Sequence, residues 1–192
     1  MFQGLDMAAI RGERLVFAGV GFALAPGAAL LLVGPNGSGK STLLRILAGL
    51  GRLASGQLLW GADDALADRT AHAGRVAYLG HLDAIKPGLT AAENFLPPAD
   101  PAIGLAAMGL TGLADLPARM LSAGQKRRLA LARLAVSTAP LWLLDEPTLG
   151  LDAASVGRLG AVLAAHRARG GMIVAATHLP LPLPAAQVLS LT

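Results

Sequence analysis

Residues 34–42 read GPNGSGKST, and this nonapeptide decides the fold. It satisfies the pattern G-x-x-x-x-G-K-[ST] in full. Gly34, Gly37 and Gly39 let the main chain wrap closely around phosphate oxygens with its N–H groups turned inward. Pro35, Asn36, Ser38 and Thr42 complete the cradle, Lys40 reaches the outer phosphates, and the Ser41 hydroxyl is a candidate ligand for Mg²⁺. Upstream, "AALLLV" ending at Val33 has the make-up of a buried strand. Downstream, "KSTLLRILAGL" (Lys40 to Leu50) has helical apolar spacing and stops near Gly49 and Gly51. A strand, a glycine loop and a helix N-terminus in that order make an anion site for a nucleoside triphosphate.

Further along, "PLWLLDEP" places Asp145 and Glu146 at the carboxyl end of a second buried strand. That edge of an open α/β sheet is where ligands sit. Neighbouring strand residues point to opposite sides, so Asp145 is expected to hold Mg²⁺ while Glu146 orients or deprotonates water. The pair Asp63-Asp64 lacks such an apolar lead-in and reads as a surface turn. His178 closes "GMIVAATH" at the same predicted sheet edge and is expected at the γ-phosphate or the water, whereas His72 and His166 read as structural.

The remaining strand candidates are short pieces before Val33, "GQLLWG" and "RVAYLG"; helices are expected from the LSAGQ segment through Ala135 and from about Ala153 to Arg169. A stretch rich in Pro, Gly and Ala, with the helix after it (residues 82–135), reads as a small helical lobe inserted in one domain spanning 1–192. Strands alternating with helices predict an α/β fold, a mostly parallel sheet covered on both faces, with an antiparallel N-terminal part.

Composition narrows the function. There is no cysteine, which excludes disulfides, thiolate metal sites and covalent haem attachment. The net charge of +4 is modest and on its own fits nucleic acid, nucleotide or an anionic membrane surface equally well. Residues 15–39 are uncharged and long enough to span a bilayer, but Pro26-Gly27 breaks the run. "MFQGLDMAAI" lacks the basic start and apolar core of a signal peptide, so a chain that stays inside the cell is expected.

The phosphate loop, "LSAGQ" (121–125), "LLDEP", "GLD" (150–152) and "ATH", in this order and spacing, resemble the nucleotide-binding domain of ABC transporters over nearly the whole chain. The resemblance implies ATP with Mg²⁺ and a head-to-tail pair of copies. In that pair Ser122, Ala123, Gly124, Gln125 and the loop of Asp152 close over ATP held by the other copy. Lys126, Arg127 and Arg128 would then face solvent or the partner. Ser122 also suits a plain helix N-cap, and both roles are compatible. Where the family places an adenine-stacking aromatic, "IRGERLVF" puts Arg11, whose guanidinium plane can also stack on a base; Phe17 fits the core better. His81, in "YLGHLDAIKPGLTAAENF", stands where the family has a glutamine that contacts Mg²⁺ and water.

That histidine, "LSAGQKRRLALARL" and the closing "LSLT" are similar to the haem-exporter ATPase subunits of c-type cytochrome biogenesis. Their likeness implies a peripheral protein on the cytoplasmic face of a bacterial inner membrane. A CcmB-like transmembrane subunit and a CcmC-like haem-handling protein would be its partners, with no direct haem binding by this chain. The apolar part of the lobe between Leu82 and Met120 would be the docking surface. The ATPase of another compact bacterial exporter is the alternative within the class. A soluble ABC protein acting on nucleic acid is disfavoured by the single short domain and the lack of a basic stripe, and a non-hydrolysing binding module by the intact Glu146. No nucleic-acid partner is expected.

Overall fold

The apolar run before the phosphate loop forms strand β3 (Ala29–Val33). In the computed structural model, which describes residues 1–192, it lies within a five-stranded sheet. Its neighbours are β8 (Met172–Ala176) and β9 (Gln187–Ser190); beyond β8 come β7 (Leu141–Asp145) and β6 (Val76–Leu79). Every pairing in this sheet is parallel, so all carboxyl ends share one edge. Register carries this to the residue: Leu32 of β3 pairs with Ala176, and Ala176 pairs with Asp145. Leu79 of β6 pairs with Leu144. Gly34, His81, Glu146 and His178 therefore all leave the sheet within two residues of one line.

Every residue of β7 and β8 is buried. Leu141 and Leu143 join one core with Leu30, Leu32 and Val174, while Trp142 and Leu144 join another with Ile173 and Ala175. Alternate side chains enter opposite layers, and a sheet covered twice needs apolar residues at every position. Helix α1 (Lys40–Leu47) and a four-stranded antiparallel sheet fill the first layer. Helices α4 (Ala123–Ala135) and α5 (Ala153–Ala168) cover the second. The fold is α/β with an antiparallel N-terminal part.

That part differs from the short strands expected. Strands β1 (Phe2–Arg11) and β2 (Arg14–Leu24) run ten and eleven residues, flanked by β4 (Ser55–Trp60) and the two-residue β5 (Asp63–Asp64). Register shifts between Gly4 and Ile10 break the apolar alternation that would have announced them. Gly56 sits opposite this irregularity at φ 87, and a side chain there would collide with the carbonyls of Leu5 and Asp6. The acid pair is exposed and extends the sheet edge; Asp64 Oδ1 accepts from the Leu66 N–H at 2.8 Å.

Residues 82–135 contain three 3₁₀ turns, α3 (Pro101–Ala107) and α4. Phe95, Leu105 and Met108 of this lobe are continuous with the core that α4 and α5 make against the sheet. The remaining helix, α2 (Arg69–Gly74), carries His72. Both histidines read as structural are buried: His72 accepts from Trp60 Nε1 at 3.0 Å, and His166 stacks on Trp142 with centroids 3.7 Å apart. Arg127 departs from expectation. It turns inward and is 7% exposed, because an acid and several carbonyls await it beneath α4.

Candidate functional site

The loop after β3 turns on glycines at φ 145, 83 and 98 (Gly34, Gly37, Gly39). A side chain at Gly34 would strike the Leu191 carbonyl, and one at Gly39 would approach Val16 Cγ1 to 2.6 Å. The Leu43 N–H donates to the Gly39 carbonyl at 2.8 Å and starts α1. Lys40 curls back over the loop, donating from Nζ to the carbonyls of Gly34 (2.7 Å) and Pro35 (2.9 Å). Those contacts hold the ammonium at the mouth of the cradle.

The acids arrive from β7. Asp145 is the last strand residue and is buried. Burial first and the Asp145 charge second raise the pKa of the neighbouring Tyr78 phenol. Glu146 breaks the strand at φ 48, its N–H donating to the Ala176 carbonyl at 2.8 Å. Its carboxylate meets His178: Oε1 lies 2.9 Å from Nδ1, and Oε2 accepts from the His178 N–H at 3.3 Å. This aims the acid and the imidazole at the same space.

That space is a cleft of about 520 Å³. Of the residues expected there, Arg11, Asn36, Gly37, Gly39, Lys40, Ser41, Thr42, His81, Asp145, Glu146 and His178 line it. Gly34, Pro35 and Ser38 shape the loop behind the wall. Ser122, Ala123, Gly124, Gln125 and Asp152 do not line it. They form a second locus, where Ser122 Oγ accepts from the Gln125 N–H at 3.2 Å and Gln125 Oε1 accepts from the Ser122 N–H at 2.8 Å. Asp152 caps α5 by accepting the Ser155 N–H at 2.7 Å, and hydrogen bonding from the Ser155 side chain first and its N–H second holds the carboxyl pKa below the usual value. Gly124 sits against the Gly150 carbonyl, so signature and "GLD" loop lie side by side.

Sequence reasoning missed Arg14, Val16 and Leu149, which also line the cleft. Arg14 faces Arg11 across the β1–β2 turn, and the hairpin signal was the pair of arginines around Gly12-Glu13. Two guanidinium groups and no aromatic ring flank the place expected for a base, while Phe17 is buried in the core. Lys40, Arg11 and Arg14 make the cleft a site for a polyanion. Ser41 and Asp145 offer one hydroxyl and one carboxylate, and no cluster of three metal-binding side chains exists. So small an oxygen set suits Mg²⁺ that is held mainly by phosphates and water.

These features define an ATP-binding cassette, and the ABC transporter family matches residues 17–149. A dimeric ATP-binding cassette solved in a post-hydrolysis state with ADP and Pi has the same fold, with a TM-score of 0.85 at 23% identity over 100% of this chain and 94% of that one. The chain belongs to the ABC transporter family, and within it to the cytochrome c biogenesis ATP-binding export proteins, CcmA. The CcmA of Rhodospirillum rubrum is 56% identical over 100% of this chain and 85% of that protein. The CcmA of Paramagnetospirillum magneticum is 52% identical over 99% and 93%.

Proposed function

We propose that this chain is the ATP-hydrolysing subunit of an ABC transporter for c-type cytochrome biogenesis. Turnover is coupled to haem export or to release of a haem-loaded chaperone. The meeting of Lys40, Ser41, Asp145, Glu146 and His178 in one cleft carries the hydrolytic half of this reading. Likeness to named CcmA proteins over almost the whole chain supports the biological half.

The phosphates of ATP enter the glycine loop, where Lys40 exchanges its two carbonyl contacts for phosphate oxygens. Ser41 and Asp145 are the residues that would hold Mg²⁺, which when bound offsets charge on the phosphates. Glu146 orients water and accepts its proton as the new P–O bond forms; the bond to the ADP oxygen breaks and ADP departs with that electron pair. His178 fixes the carboxylate and faces the γ-phosphate. His81 occupies the place of the family's glutamine, and Arg11 flanks the base.

A second copy supplies the far wall, with Ser122, Ala123, Gly124, Gln125 and the Asp152 loop closing over the nucleotide in trans. Fully helical Ala123 and Gly124 leave room for that approach. An apolar groove of about 730 Å³, with Leu82, Leu96 and Ile103 exposed along it, is the seat for a CcmB-like transmembrane subunit. No helix is long and apolar enough to cross a membrane, in keeping with a peripheral place on the cytoplasmic face of the inner membrane. Haem chemistry resides in the partners, a CcmC-like protein among them.

Glu146→Gln tests the reading in membranes of the native host. The variant should bind ATP, lose hydrolysis by a factor of roughly 10² or more, and accumulate as an ATP-bound dimer. Wild-type turnover would remove Glu146 from the mechanism. Recovery of the tagged chain without a haem-handling membrane complex would remove the biological assignment.

A further inference from the structure

We propose that Arg127 is a positioning residue for Glu146, joining the helix behind the signature loop to two strand ends at once. This inference rests on the ATPase reading above. The Arg127 side chain is 8% exposed, and the two ends of its guanidinium serve different elements. Nη2 donates to the main-chain carbonyls of Asp145 (3.1 Å) and Glu146 (2.6 Å), the last residue of β7 and the one after it. Nη1 donates to the Asp83 carboxylate at 2.7 Å and reaches the Gly80 carbonyl at 3.4 Å, in the segment after β6. That segment is a shared wall: His81 lines the nucleotide cleft, while Leu82 and Asp83 line the apolar groove.

The contact matters because of where Glu146 sits. At φ 48 a non-glycine residue holds a disfavoured left-handed backbone state, which persists only when its surroundings fix it. Its N–H donates to the Ala176 carbonyl, and its own carbonyl accepts from Arg127 Nη2 at 2.6 Å and, more weakly, from the Leu149 N–H at 3.2 Å. Without Arg127 the carbonyl keeps only the longer Leu149 contact, so the peptide is held less firmly and the carboxylate is less well aimed at the water. Arg127 itself does not line the cleft, so ATP affinity is not its concern. A planar fork spans both partners, whereas a lysine ammonium is a single compact donor.

Arg127→Lys therefore keeps the charge and loses the span. In the full chain purified with its membrane partners, kcat for ATP should fall about tenfold, since small misplacements of a reacting group cost up to about 10²-fold. KM for ATP should stay within about twofold, because ground-state binding is untouched. Asp83→Ala, at a residue a quarter exposed, should lower kcat by a smaller factor. The double variant should match Arg127→Lys alone, because Asp83 acts through Arg127. Unchanged kcat in Arg127→Lys overturns the inference. So does a rise in KM that accounts for the loss, or a double variant whose defect is the product of the two. If Arg127→Lys does not fold, Asp83→Ala decides, and unaltered kcat there overturns it. A wild-type chain without turnover overturns the ATPase reading and this inference with it, whereas an active wild type with indifferent variants overturns this inference alone.

Discussion

Glu146 and His178 hold each other across 2.9 Å at the ends of adjacent strands, one well covered and the other half open to solvent. In His178→Ala the carboxylate loses both its imidazole contact and the group expected to face the γ-phosphate. Turnover should fall by roughly 10²-fold, the lower range for a positioned proton-transfer partner. Nucleotide affinity, read by fluorescent-analogue titration, should change little, because the phosphate loop is intact. Equal losses in affinity and rate would place His178 in binding instead. These residues were legible in the sequence because each follows an apolar strand and ends it with a reactive group. Arg127 was not legible: within "KRR" a cation reads as solvated. Its burial is decided by Asp83, 44 positions away in the chain, and by main-chain carbonyls that no side-chain pattern reveals.

Elements with both faces buried were the ones most readily read, since β3, β7 and β8 are unbroken apolar runs beside loops with clear chemistry. Strands β1 and β2 were understated because their shifted register scatters the apolar residues, and β9 escaped notice because its "QVLS" is mostly exposed. Helix α4 was legible from its start, where Ser122 and Gln125 form a reciprocal cap. That cap allows the two roles of Ser122 to be separated. Ser122→Ala removes a cap worth about 1 kcal/mol and also the hydroxyl proposed to meet ATP in trans. Ser122→Asp caps equally well but places a negative charge where the γ-phosphate of the other copy is expected. The aspartate variant should keep the wild-type melting temperature and lose ATP-driven dimerisation and hydrolysis. Melting curves beside light scattering with ATP check both halves. Normal dimerisation by that variant would leave Ser122 as a cap and nothing more.

On the scale of the whole molecule, burial shapes the response to acid and incompleteness shapes the response to dilution. His166, stacked under Trp142, has its pKa lowered from 6.5 to about 4, mainly because burial penalises the imidazolium. The unfolded chain takes up this proton near pH 6.5 and the folded chain not until about 4. Between those values the unfolded state binds more protons, so stability falls as pH falls, and below about 4 this group adds no further loss. His72, lowered first by its own burial, slopes the same way. His166→Phe keeps a ring against Trp142 and should flatten the fall in melting temperature between pH 6.5 and 4; an unchanged slope would assign the acid response elsewhere. Dilution concerns the cleft. The signature residues lie outside the wall built by their own chain, and in the proposed head-to-tail pair those of a second copy would close it. Dimeric cassettes of the same fold have been solved, one of them holding ADP and Pi. For the chain purified alone, ATP cleaved per molecule should drop as concentration falls through the self-association range, approaching tenfold per tenfold dilution once dimers are scarce, by mass action. Within the proposed membrane complex, which would hold two copies together, that dependence should vanish. A rate per chain that stays constant far below measurable self-association would mean that one copy completes its own site, and the signature would need another purpose.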